Sequence, residues 1–110
     1  MTPEHLIMNQ IRLWCGEHGI PCFRANVGTF ETKDGRYVST GLPKGFPDLM
    51  ALVGGGRVAF IECKAPKGRL SPEQKAFREM AESRGCAYVA AKSVADAERT
   101  LLCYTSEAKT

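Results

Sequence analysis

No apolar run in this chain approaches the ~20 residues that a bilayer-spanning helix needs, and no basic stretch followed by a continuous apolar one opens the N-terminus. Neither a transmembrane helix nor a secretory signal is therefore expected, and the cytosol is the expected compartment. Cys-x-x-Cys pairs are absent, and the five cysteines, Cys15, Cys22, Cys63, Cys86 and Cys103, are odd in number. Cys15 and His18 have the spacing of half a zinc site, but no second compact pair completes it. The cysteines read instead as free thiols, small buried hydrophobes in a reducing compartment. His5 and His18 have no sequence neighbours that argue for catalysis. A Gly-x-Gly-x-x-Gly turn after a strand is missing too, which disfavours a Rossmann-type nucleotide binder. Internal repeats, low-complexity segments and interdomain linkers are lacking. Charge is close to balanced, with a net +3 and a pI of about 8.7. That is compatible with nucleic acid without requiring it.

What is present is enough for one domain with one hydrophobic core: 110 residues, 44% hydrophobic and 25% charged. Thr2-Pro3-Glu4 is a good helix start, with a cap, a proline for the first helical position and an acid at the positive end of the dipole. Leu6, Ile7, Ile11, Trp14, Cys15 and His18 follow a helical period, and Gly19 ends it. A short strand is expected over Cys22 to Val27, with Phe23, Ala25 and Val27 on one face and Cys22, Arg24 and Asn26 on the other. Asp34-Gly35, between Thr29–Thr32 and Arg36–Thr40, signals a hairpin. Strands are expected over Asp48–Val53 and Arg57–Lys64, joined by Gly54-Gly55-Gly56. A second helix opens at Ser71-Pro72-Glu73-Gln74, with Phe77, Met80 and Ala81 inward and Gly85 as its stop. A fourth buried strand covers Cys86 to Ala91, and Ser93 caps a last helix carrying Val94, Ala97, Leu101 and Leu102. Trp14, Phe77 and Tyr88 read as core residues. Residues 1–104 form the expected domain and 105–110 a flexible, frayed tail. Helices flanking a mixed central β-sheet make an α/β sandwich.

The chemistry is concentrated in two short stretches, Gly45-Phe46-Pro47-Asp48 and Glu62-Cys63-Lys64. Asp48 opens one apolar run, and Glu62 and Lys64 close the next. Charged groups at the ends of buried strands are costly unless they are paired or bind a metal. Val58, Phe60, Glu62 and Lys64 share one face by strand parity, so Glu62 and Lys64 emerge together where the apolar section ends. Two carboxylates beside a lysine suit a hard divalent cation such as Mg²⁺ and an attacking water. The competing accounts are local: Asp48 as a turn residue after Pro47, and Glu62 in a salt bridge to Lys64.

Pro47-Asp48 and Glu62-Cys63-Lys64, with the element order, resemble the PD-(D/E)XK nuclease superfamily. Gly45-x-Pro47-Asp48-Leu49, the Glu-x-Lys strand and Gln74 within Ser71-Pro72-x-Gln74 look like its VRR-NUC branch, the virus-type replication-repair nucleases. Glu4 and the Arg24-Ala25-Asn26-Val27-Gly28 segment are similar to that family as well, so the resemblance runs from about Pro3 to Leu102. It implies a restriction-endonuclease-like core and a structure-specific DNA endonuclease using Mg²⁺ or Mn²⁺. The stand-alone form, found in phages and bacteria, is similar to Holliday-junction resolvases. That implies a homodimer acting on branched DNA such as a four-way junction, in the cytoplasm of a bacterial or phage-infected cell.

The resemblance also assigns roles. Asp48 and Glu62 would hold metal, with the backbone carbonyl of Cys63, and the Cys63 side chain would pack on the opposite face. Lys64 would position or activate the water and stabilise the developing phosphorane-like charge. Gln74 would orient the nucleophile or contact phosphate, although Ser71-x-x-Gln74 is equally a capping box. Glu4 would reach the metal, or only compensate the helix dipole. Arg24 and Asn26 are candidates for phosphate contact or plain exposed strand polars. Lys33, Arg36 and Lys44, interleaved with Phe30 and Tyr37, make the hairpin region a DNA-contact candidate or a solvated cap on the sheet. Lys67, Arg69 and Lys75 could follow the DNA backbone. Cleavage would leave a 5′-phosphate and a 3′-hydroxyl. The rival functions are a flap, nicking or restriction-type nuclease on the same fold, and a non-catalytic nucleic-acid-binding module.

Overall fold

A computed structural model describes the backbone of residues 1–108 and the side chains of residues 1–104. Helix α1 spans Pro3–Glu17 and starts as its sequence dictates: Thr2 accepts the His5 amide proton at 3.2 Å, and Pro3 occupies the first position. Short strands β1 (Cys22–Arg24), β2 (Thr29–Glu31) and β3 (Tyr37–Ser39) follow. Strands β4 (Leu49–Val53) and β5 (Arg57–Cys63) are joined by a single turn of 3₁₀ helix over Gly54–Gly56. Helix α2 (Pro72–Ser83), strand β6 (Ala87–Ala91) and helix α3 (Val94–Ala108) complete the chain.

The central sheet has the order β1-β4-β5-β6. Strand β4 runs antiparallel to both of its neighbours, β1 and β5, while β6 runs parallel to β5 with α2 as the crossover. The sheet is therefore mixed and flanked by helices. Leu49, Ala51 and Val53 register against Ile61, Ala59 and Arg57, so β4 and β5 present one apolar face. Ile7, Met8, Ile11 and Cys15 of α1 and Ala97 and Leu101 of α3 close over it. Alanines at 51, 59, 91 and 97 are wholly buried and keep the layers close. Burying a residue such as Ile61 completely contributes roughly 1.5–3 kcal/mol. The opposite face carries an aromatic cluster, Phe46, Phe60 and Phe77 with ring centroids 4.9–5.7 Å apart, and Tyr88 at 6.5 Å from Phe77. Among the described residues no helix is long and apolar enough to cross a membrane.

Several local expectations need correction. Strand β1 ends at Arg24 rather than Val27. The Ala25 amide makes one more bond, to the Asp48 carbonyl at 2.8 Å, and the chain then leaves the sheet toward Gly28. As an edge strand it leaves Phe23 half-exposed. The β2–β3 hairpin forms its own two-stranded sheet, with every strand residue exposed. Leu6 is half-exposed because the first turn of α1 overhangs the end of the sheet, and Met8 takes the inward position instead. Met80 also lies outward: α2 rests against the edge strand β6 and presses only Phe77 and Ala81 inward. Leu102 and His18 are exposed, His18 stacking on a half-buried Trp14 at 4.0 Å. Helix α3 stays helical past residue 104 to Ala108, and residues 109 and 110 of the expected tail lie outside the described residues.

Candidate active-site cleft

The strand directions place four strand termini at one end of the sheet. The end of β1, the start of β4 and the ends of β5 and β6 lie side by side there. Read across that end, the residues are Arg24, Asp48, Glu62 with Lys64, and Lys92. A cleft of about 510 Å³ opens over the first three, closed on its far side by the first turns of α1.

Asp48 ties the strands together. Its Oδ2 accepts the Cys63 amide proton at 2.8 Å, and its carbonyl accepts that of Ala25 at 2.8 Å. Before it, Pro47 is fully buried and Gly45 has φ +95°. A Cβ on Gly45 would sit 2.7 Å from the Glu73 backbone, so only glycine lets this segment pass the first turn of α2.

Glu62 is 4% exposed and is the buried charged residue of the described chain. Burial, a hydrogen bond to Asp48 and the Asp48 charge push its carboxyl up to about 9; Lys64 opposes the shift and Glu4 adds to it. Near neutral pH the Glu62 carboxyl thus keeps its proton beside Asp48. Gln74 fixes the orientation of Glu62. Its Oε1 accepts the Ser71 amide proton at 2.8 Å while its own backbone amide donates to Ser71 Oγ at 3.2 Å, the reciprocal capping box. With Oε1 held there, Nε2 is left to donate to Glu62 Oε1 at 3.1 Å. The two readings of Gln74 are not exclusive: one side-chain amide caps the helix with its oxygen and reaches the buried acid with its nitrogen.

The sequence model of the VRR-NUC domain family matches residues 4–95, a span that includes Glu4, Asp48, Glu62, Lys64 and Gln74. The chain belongs to the VRR-NUC family. A solved VRR-NUC domain structure superposes with a TM-score of 0.67, covering 94% of this chain and 99% of its own at 20% identity. The fold is thus common to both, and it is a nuclease-type fold. No curated protein sequence matches this chain.

In this VRR-NUC domain the donor set fits a hard cation. With Glu62 held protonated by burial and by Asp48, a nearby divalent charge would favour its ionised form. Among the described residues no three His, Cys, Asp or Glu side chains converge into a cage. Glu4 lines the cleft without completing such a group. Such a donor set would suit a hard cation that binds through one or two carboxylates and keeps several waters. Cys63 offers only its backbone: its side chain is buried in the core, where burial pushes the thiol up to about 12.

Arg24 and Asn26 line the cleft opposite Lys64, although Asn26 lies beyond the strand. Other expected contacts fall elsewhere. Arg36 is bonded to Asp34 at 3.0 Å within the exposed hairpin, and Lys33 is on the same turn. Lys44 pairs with Glu73 at 3.6 Å. Lys67 is exposed and borders neither the cleft nor its neighbour, whereas Arg69 and Lys75 line an adjoining hollow. Sequence reasoning missed His5, Met8 and Phe46 as cleft-lining residues. The signal for the first two was the spacing from the Thr2 cap, which sets His5 and Met8 three residues apart on the helical face.

Proposed function

We propose that this VRR-NUC domain is a Mg²⁺- or Mn²⁺-dependent endodeoxyribonuclease that cuts branched DNA, four-way junctions in particular, as a homodimer. The observation that carries the reading is the buried Glu62 carboxyl beside Asp48, in a cleft flanked by Arg24 and Lys64. A bound divalent cation would polarise the phosphate and make a nucleophilic water accessible near neutral pH. Asp48 and Glu62 would hold it, with the Cys63 carbonyl and Glu4 at the margin. Asp48 is fixed by the Cys63 amide and Glu62 by Gln74, so neither ligand needs reorganising. The Lys64 ammonium faces the negative charge that grows on the phosphate during in-line attack. Arg24 and Asn26 would grip the substrate backbone on the opposite wall. The strand would part as a 5′-phosphate and a 3′-hydroxyl. A two-fold dimer suits a junction with paired cleavage points.

The test is cleavage of labelled four-way junction, flap and linear duplex DNA with Mg²⁺, Mn²⁺ or EDTA, using wild type and Lys64→Ala. Metal-dependent junction cutting that Lys64→Ala loses is the expected result. Cutting confined to flaps or linear DNA discards the junction preference, and no cutting with either metal rejects the enzyme in favour of a binding module.

A further inference from the structure

Lys64 is the wall between two cavities. On its far side from the carboxylates lies a hollow of about 420 Å³, with Lys64, Arg69, Lys75 and Lys92 around a floor of Leu70 and Ala90. The turn after β5 holds that wall in place. The Gly68 amide donates to the Ala65 carbonyl at 2.8 Å, and a Cβ on Gly68 would lie 3.4 Å from Lys64 Cδ.

Most of the cations around this hollow lack a carboxylate partner among the described residues. Arg78, which also lines it, is paired with Glu82 at 3.3 Å. Arg69, Lys75 and Lys92 have no ion pair among the described residues, and Glu79 is the acid that lines the hollow with them. Three cations without an ion pair therefore join Lys64 around the hollow, beside the two carboxylates. Position matters equally. The hollow sits at the end of β6, two strands from Asp48, roughly 10 Å along the sheet end. Arg24 lies on the other side, at the end of β1. A cation-flanked line thus crosses the sheet end with the two acids in its middle.

We infer that the hollow binds the sugar–phosphate backbone of the cut strand next to the reacting phosphate. The strand then runs from Arg24 over Asp48 and Glu62 to Lys75 and Lys92. The floor of the hollow offers aliphatic surface and no hydrogen-bonding group for base edges, so the grip is independent of sequence. The inference rests on the nuclease reading and adds to it the substrate's path.

The experiment measures binding to duplex DNA in EDTA across a salt series, for wild type and a Lys75→Ala/Lys92→Ala variant. Both side chains are exposed, so the variant keeps its fold. The expected result is a log K against log salt slope shallower by about 0.9 for each phosphate no longer neutralised, or about 0.7 on single-stranded DNA. A methylphosphonate scanned along the strand should weaken wild type most beside the cut position and leave the variant unaffected there. An unchanged slope, with wild type still binding and cutting, overturns the hollow and leaves the nuclease reading intact. Wild type that neither binds nor cuts removes that reading, and the hollow with it.

Discussion

Glu62→Gln should stabilise the metal-free protein while destroying its cleavage. The Glu62 carboxyl sits at about 9 in the fold against 4.5 when unperturbed, for reasons of burial first and Asp48 second. Below pH 4.5 it is protonated folded and unfolded alike and costs nothing. As pH rises toward 9 the unfolded chain gains by releasing the proton, and stability erodes at about 1.4 kcal/mol per pH unit. At pH 7 the cost is on the order of 3 kcal/mol. A glutamine escapes it while keeping the hydrogen bonds. Its NH₂ replaces the proton toward Asp48, and its carbonyl still accepts from Gln74 Nε2. Urea and thermal unfolding in EDTA at pH 5, 6, 7 and 8 should show the two proteins nearly equal at pH 5 and Glu62→Gln ahead at pH 8. A gain of about 2 kcal/mol corresponds to roughly 10 °C in a domain of this size. Saturating Mg²⁺ should then raise wild type alone, because the variant has lost the anionic ligand. A stability difference that does not change with pH, or a Glu62→Gln variant no more stable at pH 8, would refute the account of the buried pair.

Gln74→Ala should cost about 1 kcal/mol through loss of its side chain's half of the capping box, the bond from the Ser71 amide, and also slow cleavage, as read by urea titration beside single-turnover cutting. A full loss of cap stability with an unchanged rate would leave the Glu62 hydrogen bond without a catalytic part. Gly45→Ala should cost upwards of about 2 kcal/mol, combining the left-handed backbone with the 2.7 Å approach to Glu73. Gly28→Ala, at φ +116° with nothing within 4 Å, should cost the backbone strain alone, about 1–2 kcal/mol; equal losses at the two glycines in thermal melts would disprove the steric argument.

The elements with strong local punctuation were legible in the sequence. Thr2-Pro3 and Ser71-Pro72 announced two helices whose caps are seen in place, and the parity of β5 put Glu62 on one face and Cys63 on the other. What was not legible depended on neighbours distant in sequence. Leu6 and Met80 have the right spacing for a buried stripe, yet lie where a helix overhangs the sheet. Strand β1 stops where its partner stops, a fact written in Asp48 rather than in Ala25. The site showed the same division. The motif marked out Asp48, Glu62 and Lys64 as neighbours, whereas which cations lie beyond Lys64 depended on which strand lies beside β5. Lys92 lies far beyond Glu62 in the chain, and only the parallel pairing of β6 with β5 brings it beside Lys64.

The parallel β5–β6 pairing has a consequence in time. Synthesis delivers Asp48, Glu62 and Lys64 well before Tyr88 and Ala91, yet Phe60 registers against Tyr88, Glu62 against Ala90, and the Lys64 amide bonds the Ala91 carbonyl at 2.9 Å. A chain still on the ribosome and halted before β6 holds every letter of the motif without the cover that sets Glu62 apart from an ordinary surface acid. The surroundings of Glu62 are therefore complete only once β6 has emerged and paired with β5.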